Sequence, residues 1–388
     1  MKFSLSPEQS EIKRSVEAIC SNYDLNYWGN LDREEQFPEA FFQDMMKGGY
    51  TAITLPEEHG GSGLGIGTAA VVMQTIAESG AGMSGASTVH SYVFIPKAIA
   101  IHGSAEQKAR MLPPLISGVE RACLGITEPD AGIDTTRLRY RAVKRDGHYV
   151  FTGEKVWPTM GSTADRILLV ARTTPIEECK RPIDGLSLFY TKLDRRYVEA
   201  RKIAKLGRNT MESCQLHFEG MPIPEEDRIG VEGKGLYYLF DGLNPERIMV
   251  AAEAIGLARC ALRLATNYAK ERVVFNRPIG QNQGVQHPLA ESWMKVETAN
   301  LMMHKAAWLY DQGQECGAEA NTAKYMCSEA AFEACTRALM TFGGYGYAKE
   351  FHVERLMREA LLTRIVPVSP NLVMCYIAER VLGLPKSY

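Results

Sequence analysis

The sequence predicts a mostly helical α+β protein with an N-terminal α-helical domain, a small central β-barrel or sandwich and a C-terminal four-helix bundle. Three observations carry that expectation. Apolar residues recur at steps of three and four from Ser6 toward Leu115. Between Cys123 and Ile229 the pattern breaks into short β-type runs separated by Pro, Gly and Asp clusters. From Gly235 the helical period returns and holds to Leu382. The expected domains are 1–121, 122–230 and 231–388.

Each element has its own signal. Ser6-Pro-Glu-Gln9 reads as a capping box with proline at the first helical position, and Ser104-Ala-Glu-Gln107 as a second box. Phe41, Met45, Met46 and Tyr50 mark another helix, and Gly67–Ser79 and Ser91–His102 two more. In the central third, Asp146-Gly147 is a hairpin turn between the runs Arg139–Lys144 and Tyr149–Thr152. Ile167–Ala171, Leu186–Tyr190, Val198–Ile203 and Cys214–Phe218 read as further strands. The bundle helices are expected over Pro245–Arg272, Val285–Gln312 and Ala318–Phe342, with a last pair over Val353–Thr363 and Leu372–Leu382.

Composition narrows the function classes. A net charge of −2 gives no attraction to nucleic acid or an anionic membrane. No run of about 18 apolar residues suggests a membrane span, and the N-terminus lacks a signal or transit pattern. The nine cysteines are odd in number and widely spaced, without Cys-x-x-Cys, and the eight histidines lack ligand spacing. The expectation is a reducing, cytoplasmic compartment and no metal site.

The stretch Asp241–Gly256 opens the first bundle helix. Asn244 is expected as its N-cap and Pro245 as its first residue. Glu246 then lies in the first turn, where a carboxylate complements the helix dipole and needs no other purpose. Elsewhere, four stretches follow in order. Leu124-Gly-Ile126-Thr127-Glu-Pro-Asp-Ala-Gly132-Ile133-Asp134 is a turn rich in small residues. Gly153-Glu-Lys-Val-Trp157-Pro-Thr159 ends a strand. Glu271-Arg272-Val-Val-Phe275-Asn-Arg-Pro-Ile-Gly-Gln-Asn-Gln283 lies between two helices, and Met340-Thr-Phe-Gly343-Gly344-Tyr-Gly346 closes a third.

Together these resemble the acyl-CoA dehydrogenase family of flavoenzymes across essentially the whole chain. The resemblance implies FAD as cofactor, contacted by Leu124, Ile126, Thr127, Gly132, Ile133, Trp157, Thr159, Arg272, Phe275, Gln283, Gly343, Gly344, Ser369 and Asn371. A forked guanidinium at Arg272 suits the pyrophosphate. It also implies substrate contacts from Ile133, Asn244, Arg247 and Val368, an acyl-CoA thioester as substrate, an electron-transfer flavoprotein as acceptor and a homotetramer or homodimer.

The family removes an α-proton with a carboxylate while a β-hydride goes to flavin N5. Most members supply the glutamate from a C-terminal loop. Here that loop reads Val366-Pro-Val-Ser-Pro-Asn371, and Pro367 stands at the glutamate's position. Proline takes no proton and has no N–H to offer the thioester oxygen. Isovaleryl- and long-chain-type members place the base on the bundle helix, at the position of Glu246. The expected catalytic residue is therefore Glu246, with Glu253, two turns on, in reserve. Ile133, Pro158 and Met340 are further departures from the family's motifs. The expected activity is oxidation of an acyl-CoA to a trans-2-enoyl-CoA. The rivals are a flavin-dependent monooxygenase or oxidase on the same fold and a non-catalytic flavin- or acyl-CoA-binding protein.

Overall fold

The computed structural model describes residues 4–387. Met1, Lys2, Phe3 and Tyr388, the outer ends of the expected first and last domains, lie outside them. Both capping boxes form. Ser6 and Gln9 exchange hydrogen bonds of 3.0 and 3.1 Å at the start of α1 (Pro7–Cys20), and Ser104 and Gln107 do the same at the start of α6 (Ala105–Ile116). Between them lie α2 (Leu25–Glu34), α3 (Glu39–Lys47), α4 (Ile66–Ile76) and α5 (Gly82–His102).

Two of these depart from expectation. The sequence reading has no element at α2, whose helical face is short; Asp24 caps it through Tyr27 N, and it buries Trp28. Helix α5 begins nine residues before the expected Ser91. Residues 82–90 are mostly small and are all buried, so they carry no apolar period to read.

The central sheet comprises β1 (Ala122–Gly125), β2 (Arg141–Arg145), β3 (His148–Thr159), β4 (Arg166–Arg172), β5 (Leu186–Lys192), β6 (Val198–Lys202), β7 (Ser213–Pro224) and β8 (Arg228–Ile229). Its order is β6-β7-β3-β2-β4-β5-β8, with β1 beside β4. The halves meet through one pairing, Arg141 with Arg172, and fold over a shared core that includes Phe151, Ile167, Leu169, Phe189 and Phe218. The alternate residues Leu168 and Val170 face outward but pack on Ile95, Ile99, Met111 and Leu115 of α5 and α6. Burial on both faces explains why β4 is a continuous apolar run. Asp146 and Gly147 turn the β2–β3 hairpin with φ of 44° and 79°, as a type I′ turn requires.

The last third holds α7 (Gly235–Phe240), α8 (Leu243–Glu271), a β9–β10 hairpin (Val273–Val274 and Arg277–Pro278), α9 (Gln283–Asp311), α10 (Gly317–Phe342), α11 (Val353–Ile365) and α12 (Pro370–Tyr376). One core joins α8, α9, α10 and α11 to α1, α4 and α5. At Gly256 of α8, a Cβ would come within 2.5 Å of Gln74 O of α4, so glycine sets how closely these helices approach. The apolar stretch Val353–Val381 is interrupted at 366–369 and packs Val353, Leu356, Ala360 and Val373 inward.

The expected N-cap at Asn244 is not formed. Helix α8 starts at Leu243, Gly242 before it already has helical angles, and Asn244 Oδ1 accepts instead from Arg247 Nη1 at 3.1 Å. Helix α7 ends two residues earlier, so the chain enters α8 from a turn that is already helical.

Candidate active site

The site is assembled where α5, α8 and the sheet meet. On α8, Glu246 and Glu253 are seven residues apart, hence on one face and about 10 Å apart along the axis. On α5, Ser84, Ser87 and His90 fall at steps of three. His90 fits between the two carboxylates: Nε2 lies 2.7 Å from Glu246 Oε2 and Nδ1 lies 2.8 Å from Glu253 Oε1. Burial pushes the imidazole toward its neutral form. The charges of Glu246 and Glu253 and the hydrogen bonds to them outweigh burial and hold its pKa well above 6.5. With a carboxylate oxygen within hydrogen-bond distance of each ring nitrogen, the arrangement suits an imidazolium donating at both. Glu253 is fully buried, whereas Glu246 is partly open and its Oε1 has no hydrogen bond among the described residues.

Arg208, in the β6–β7 connection, has a left-handed backbone with φ of 55°. Its guanidinium donates to Ser87 Oγ at 3.3 Å and to Thr159 Oγ1 at 3.1 Å. No carboxylate pairs with it among the described residues, and desolvation lowers its pKa. Because the Thr159 oxygen accepts from Arg208, the hydroxyl proton is left to point elsewhere. Arg208 thus joins Thr159 at the end of β3 to Ser87 of α5, and His90, one turn further along α5, meets Glu246 of α8.

The loop after β1 is fixed beside β3. Lys155 Nζ donates to Ile126 O at 3.0 Å and to Glu128 Oε1 at 2.9 Å, and Val156 N donates to Thr127 O. Glu128 also accepts from Arg139 N and Tyr140 N. Leu124 pairs with Leu168 in the sheet. Beyond this anchor, Gly132 and Ile133 are exposed, and a Cβ at Gly132 would meet no atom within 4 Å.

Trp157 stands next to that loop. It is 55% exposed and is no barrel-core residue. Its φ of 73° is costly for a bulky side chain, the more so before Pro158. The β3–β7 register slips between Val156 and Thr159, and Pro158, lacking an N–H, sits in that irregularity. Strain that leaves a large aromatic ring uncovered is characteristic of a ligand platform.

A second group lies around the β9–β10 hairpin. Phe275 and Asn276 occupy its turn with φ of 52° and 61°, and Phe275 is 95% exposed. Arg272 is exposed, its guanidinium 5.7 Å from the Tyr345 ring and without an ion pair among the described residues. This places it beside Gly343 and Gly344, where added Cβ atoms would again meet open space. Gln283 begins α9. No hydrogen bond, ion pair or ring contact among the described residues links this group to Trp157, Thr159 or Glu246.

In the C-terminal loop, Lys324 Nζ donates to Arg364 O and Val368 O, and burial lowers its pKa to about 8. Ser369 caps α12 through Leu372 N, and Asn371 is exposed. Arg247 is half-buried, and its Nε has no hydrogen-bond partner among the described residues.

Sequence reasoning passed over His90, Ser87 and Arg208. The seven-residue spacing of Glu246 and Glu253 pointed to a shared face. The residue between them comes from a helix 156 positions away, which no local pattern reveals.

The uncovered Trp157, the open space at Gly132, Gly343 and Gly344, and the unpaired Arg272 suit a flat aromatic ring joined to a pyrophosphate. Family models for acyl-CoA dehydrogenases match the chain throughout: the N-terminal domain over residues 6–119, the middle domain over 123–221 and the C-terminal domain over 233–382. Acyl-CoA dehydrogenase FadE12 of Mycobacterium tuberculosis is 34% identical over 392 residues, covering 99% of this chain and 98% of its own. Butyryl-CoA dehydrogenase from Megasphaera elsdenii superposes with a TM-score of 0.92 at 28% identity, over 98% of this chain and 100% of its own. A chain from a structure titled for the electron transferring flavoprotein of Acidaminococcus fermentans and flavin-based electron bifurcation superposes at 0.93, with 29% identity and the same coverage. This chain belongs to the acyl-CoA dehydrogenase family, oxidoreductases that bind FAD.

Proposed function

We propose that the protein oxidises an acyl-CoA thioester to its trans-2-enoyl-CoA, with Glu246 as the base that takes the α-proton. The observation that carries this reading is the free Oε1 of Glu246. Its other oxygen is held by His90, and the carboxylate sits on the side of α5 from which Ser87 and Arg208 lead to Thr159. Pro367, the residue at the position of the C-terminal-loop base, has no group that takes a proton.

FAD, when bound, accepts the hydride that leaves the β-carbon. Trp157 and the loop carrying Gly132 and Ile133 would bear on its ring, Thr159 would donate toward it, and Arg272 would meet its pyrophosphate. The remaining work falls to the protein. Glu246 receives the α-proton at Oε1, in a partly closed pocket where a carboxylate's charge is little screened. Arg247, Asn244, Ile133 and Val368 would hold the thioester, as the family resemblance implies.

Electron-transfer flavoprotein is the proposed acceptor, supported by the likeness to the Acidaminococcus fermentans structure. A homotetramer or homodimer is supported by apolar side chains left uncovered on α9, among them Trp293, Met294 and Trp308, together with Phe275. A reducing cytoplasmic location is supported by buried thiols such as Cys123, Cys327 and Cys335.

The test is an anaerobic titration of the FAD-loaded protein with butyryl-, isovaleryl-, octanoyl- and glutaryl-CoA, followed by flavin absorbance. At least one thioester should bleach the wild type, and the same thioester should bind Glu246→Gln without bleaching it. Equal bleaching of both proteins removes Glu246 from the role of base.

A further inference from the structure

Most of the molecule's buried charge has an evident structural purpose. Lys155–Glu128 ties a loop to a strand, and Glu359 accepts from Ser84 while lying beside Arg355. The Glu246–His90–Glu253 bridge is different, because one of its three members faces the reaction.

Resting on Glu246 as base, we propose that His90 and Glu253 are positioning residues: Glu253 holds His90 with both ring nitrogens donating, and His90 fixes the Glu246 carboxylate with Oε1 toward the substrate. The geometry leaves little freedom. Glu253 has no exposure and its Oε1 is committed to Nδ1. The ring is then locked with Nε2–H aimed at Glu246 Oε2, so rotation of the Glu246 carboxylate breaks a 2.7 Å charge-assisted hydrogen bond. Without the bridge, the Glu246 carboxylate would be free to swing between rotamers.

The bridge also fixes the charge of the site through the reaction. Two carboxylates and one imidazolium carry a net −1. When the α C–H bond breaks and the proton binds Glu246 Oε1, the set becomes neutral. His90 keeps both N–H protons, so proton transfer requires no rearrangement behind the base.

Other charged groups surround the bridge. Arg208 approaches from the β6–β7 connection, Arg247 from α8 itself, and Glu359 with Arg355 from α11. None is altered in the variants below, so differences between those proteins belong to the bridge.

The experiment compares FAD-loaded wild type, Glu246→Gln, His90→Gln and Glu253→Gln. Reduction by the bleaching thioester of the panel above is followed by anaerobic stopped flow from pH 5.5 to 9. Glutamine at 90 keeps a neutral donor for Glu246 but no charge. The bleaching rate at pH 6 should fall roughly ten- to hundredfold in His90→Gln and Glu253→Gln, the range expected from losing about an ångström of alignment. The acid limb of the pH–rate profile should move to higher pH, as expected when an opposite charge beside a carboxylate is removed. Thioester affinity should change far less than the rate.

A second readout is independent of turnover. Imidazole ¹⁵N spectra, with His90 assigned by its loss in His90→Gln, should show both ring nitrogens protonated at pH 7.5 in the wild type and a neutral ring in Glu253→Gln. If Glu246→Gln is inert but His90→Gln keeps the wild-type limb, or if the wild-type ring is neutral, the bridge is only a pin between helices and the proposal fails. If Glu246→Gln bleaches like wild type, the base assignment itself fails and takes the proposal with it. Should His90→Gln not fold, Glu253→Gln and the wild-type spectrum decide.

Discussion

The Lys155–Glu128 pair offers the sharpest test of how the flavin-facing loop is held. Lys155 is fully buried and Glu128 is 3% exposed. Replacing Lys155 by Met fills the same space but leaves the Glu128 carboxylate in the interior with only backbone donors, Arg139 N and Tyr140 N. Removing one partner of such a pair costs about 3–5 kcal/mol. For a chain of this size that corresponds to a fall in Tm of roughly 6–10 °C, at about 2 °C per kcal/mol. The orphaned carboxylate escapes its cost by taking a proton, so its folded-state pKa rises above the unfolded value. The destabilisation should therefore be smallest near pH 5 and grow as the pH rises. Glu128→Gln keeps an oxygen for Lys155 and for the backbone amides, and should cost less. Because Lys155 also donates to Ile126 O, the loop loosens in Lys155→Met and FAD should be lost on dialysis. The assay is thermal unfolding of apoprotein and holoprotein at pH 5, 7 and 9, with FAD content after dialysis. A shift under about 1 °C at pH 7, or a shift that shrinks with rising pH, would refute an ion pair as the anchor.

Two further substitutions separate folding from cofactor binding. Trp157→Gly removes a left-handed tryptophan from an exposed position, so apoprotein stability should hold or rise by up to about 1 kcal/mol while FAD affinity collapses; unfolding of the apoprotein beside a flavin-fluorescence titration reads both. Gly132→Val places a side chain where the protein itself has no atom within 4 Å, so apoprotein Tm should stay within about 1 °C. FAD should bind at least roughly tenfold more weakly if that space belongs to the cofactor, since crowding a packed site costs about 1–3 kcal/mol; unchanged affinity would remove Gly132 from the site.

What the sequence made legible follows from how local each determinant is. The capping boxes at Ser6 and Ser104 and the Asp146-Gly147 turn are closed within four residues, and all three form as read. The continuous apolar run at β4 was correctly taken as a buried strand, because burial on two faces leaves no polar alternation. The first half of α5 was hidden for the opposite reason: Gly82, Ser84, Gly85, Ala86 and Ser87 are small because helices close on them from all sides, and small residues carry no period. Asn244 illustrates a local rule overruled by context. Asn-Pro-Glu is a good helix start, but α7 already supplies the preceding turn, and Asn244 turns to Arg247. In the candidate site, motif resemblance points to Glu246, Trp157 and Thr159. His90 and Arg208 were missed because each acts through a partner more than 100 residues away.

That context also changes the meaning of Glu246. Its simplest explanation was dipole complementarity at a free helix end. The bond from Glu246 N to Gly242 O, at 3.0 Å, is the first hydrogen bond of α8 itself, so a carboxylate in this turn still complements the helix end. His90 adds a second, more specific hold on that carboxylate, and Glu253 stands behind it. In the role proposed for Glu246, His90 keeps the carboxylate in one orientation from encounter to encounter. Pro367 takes no proton and has no N–H, so under that proposal a helix base in place of the loop glutamate also leaves the thioester oxygen to whatever other donors lie near it.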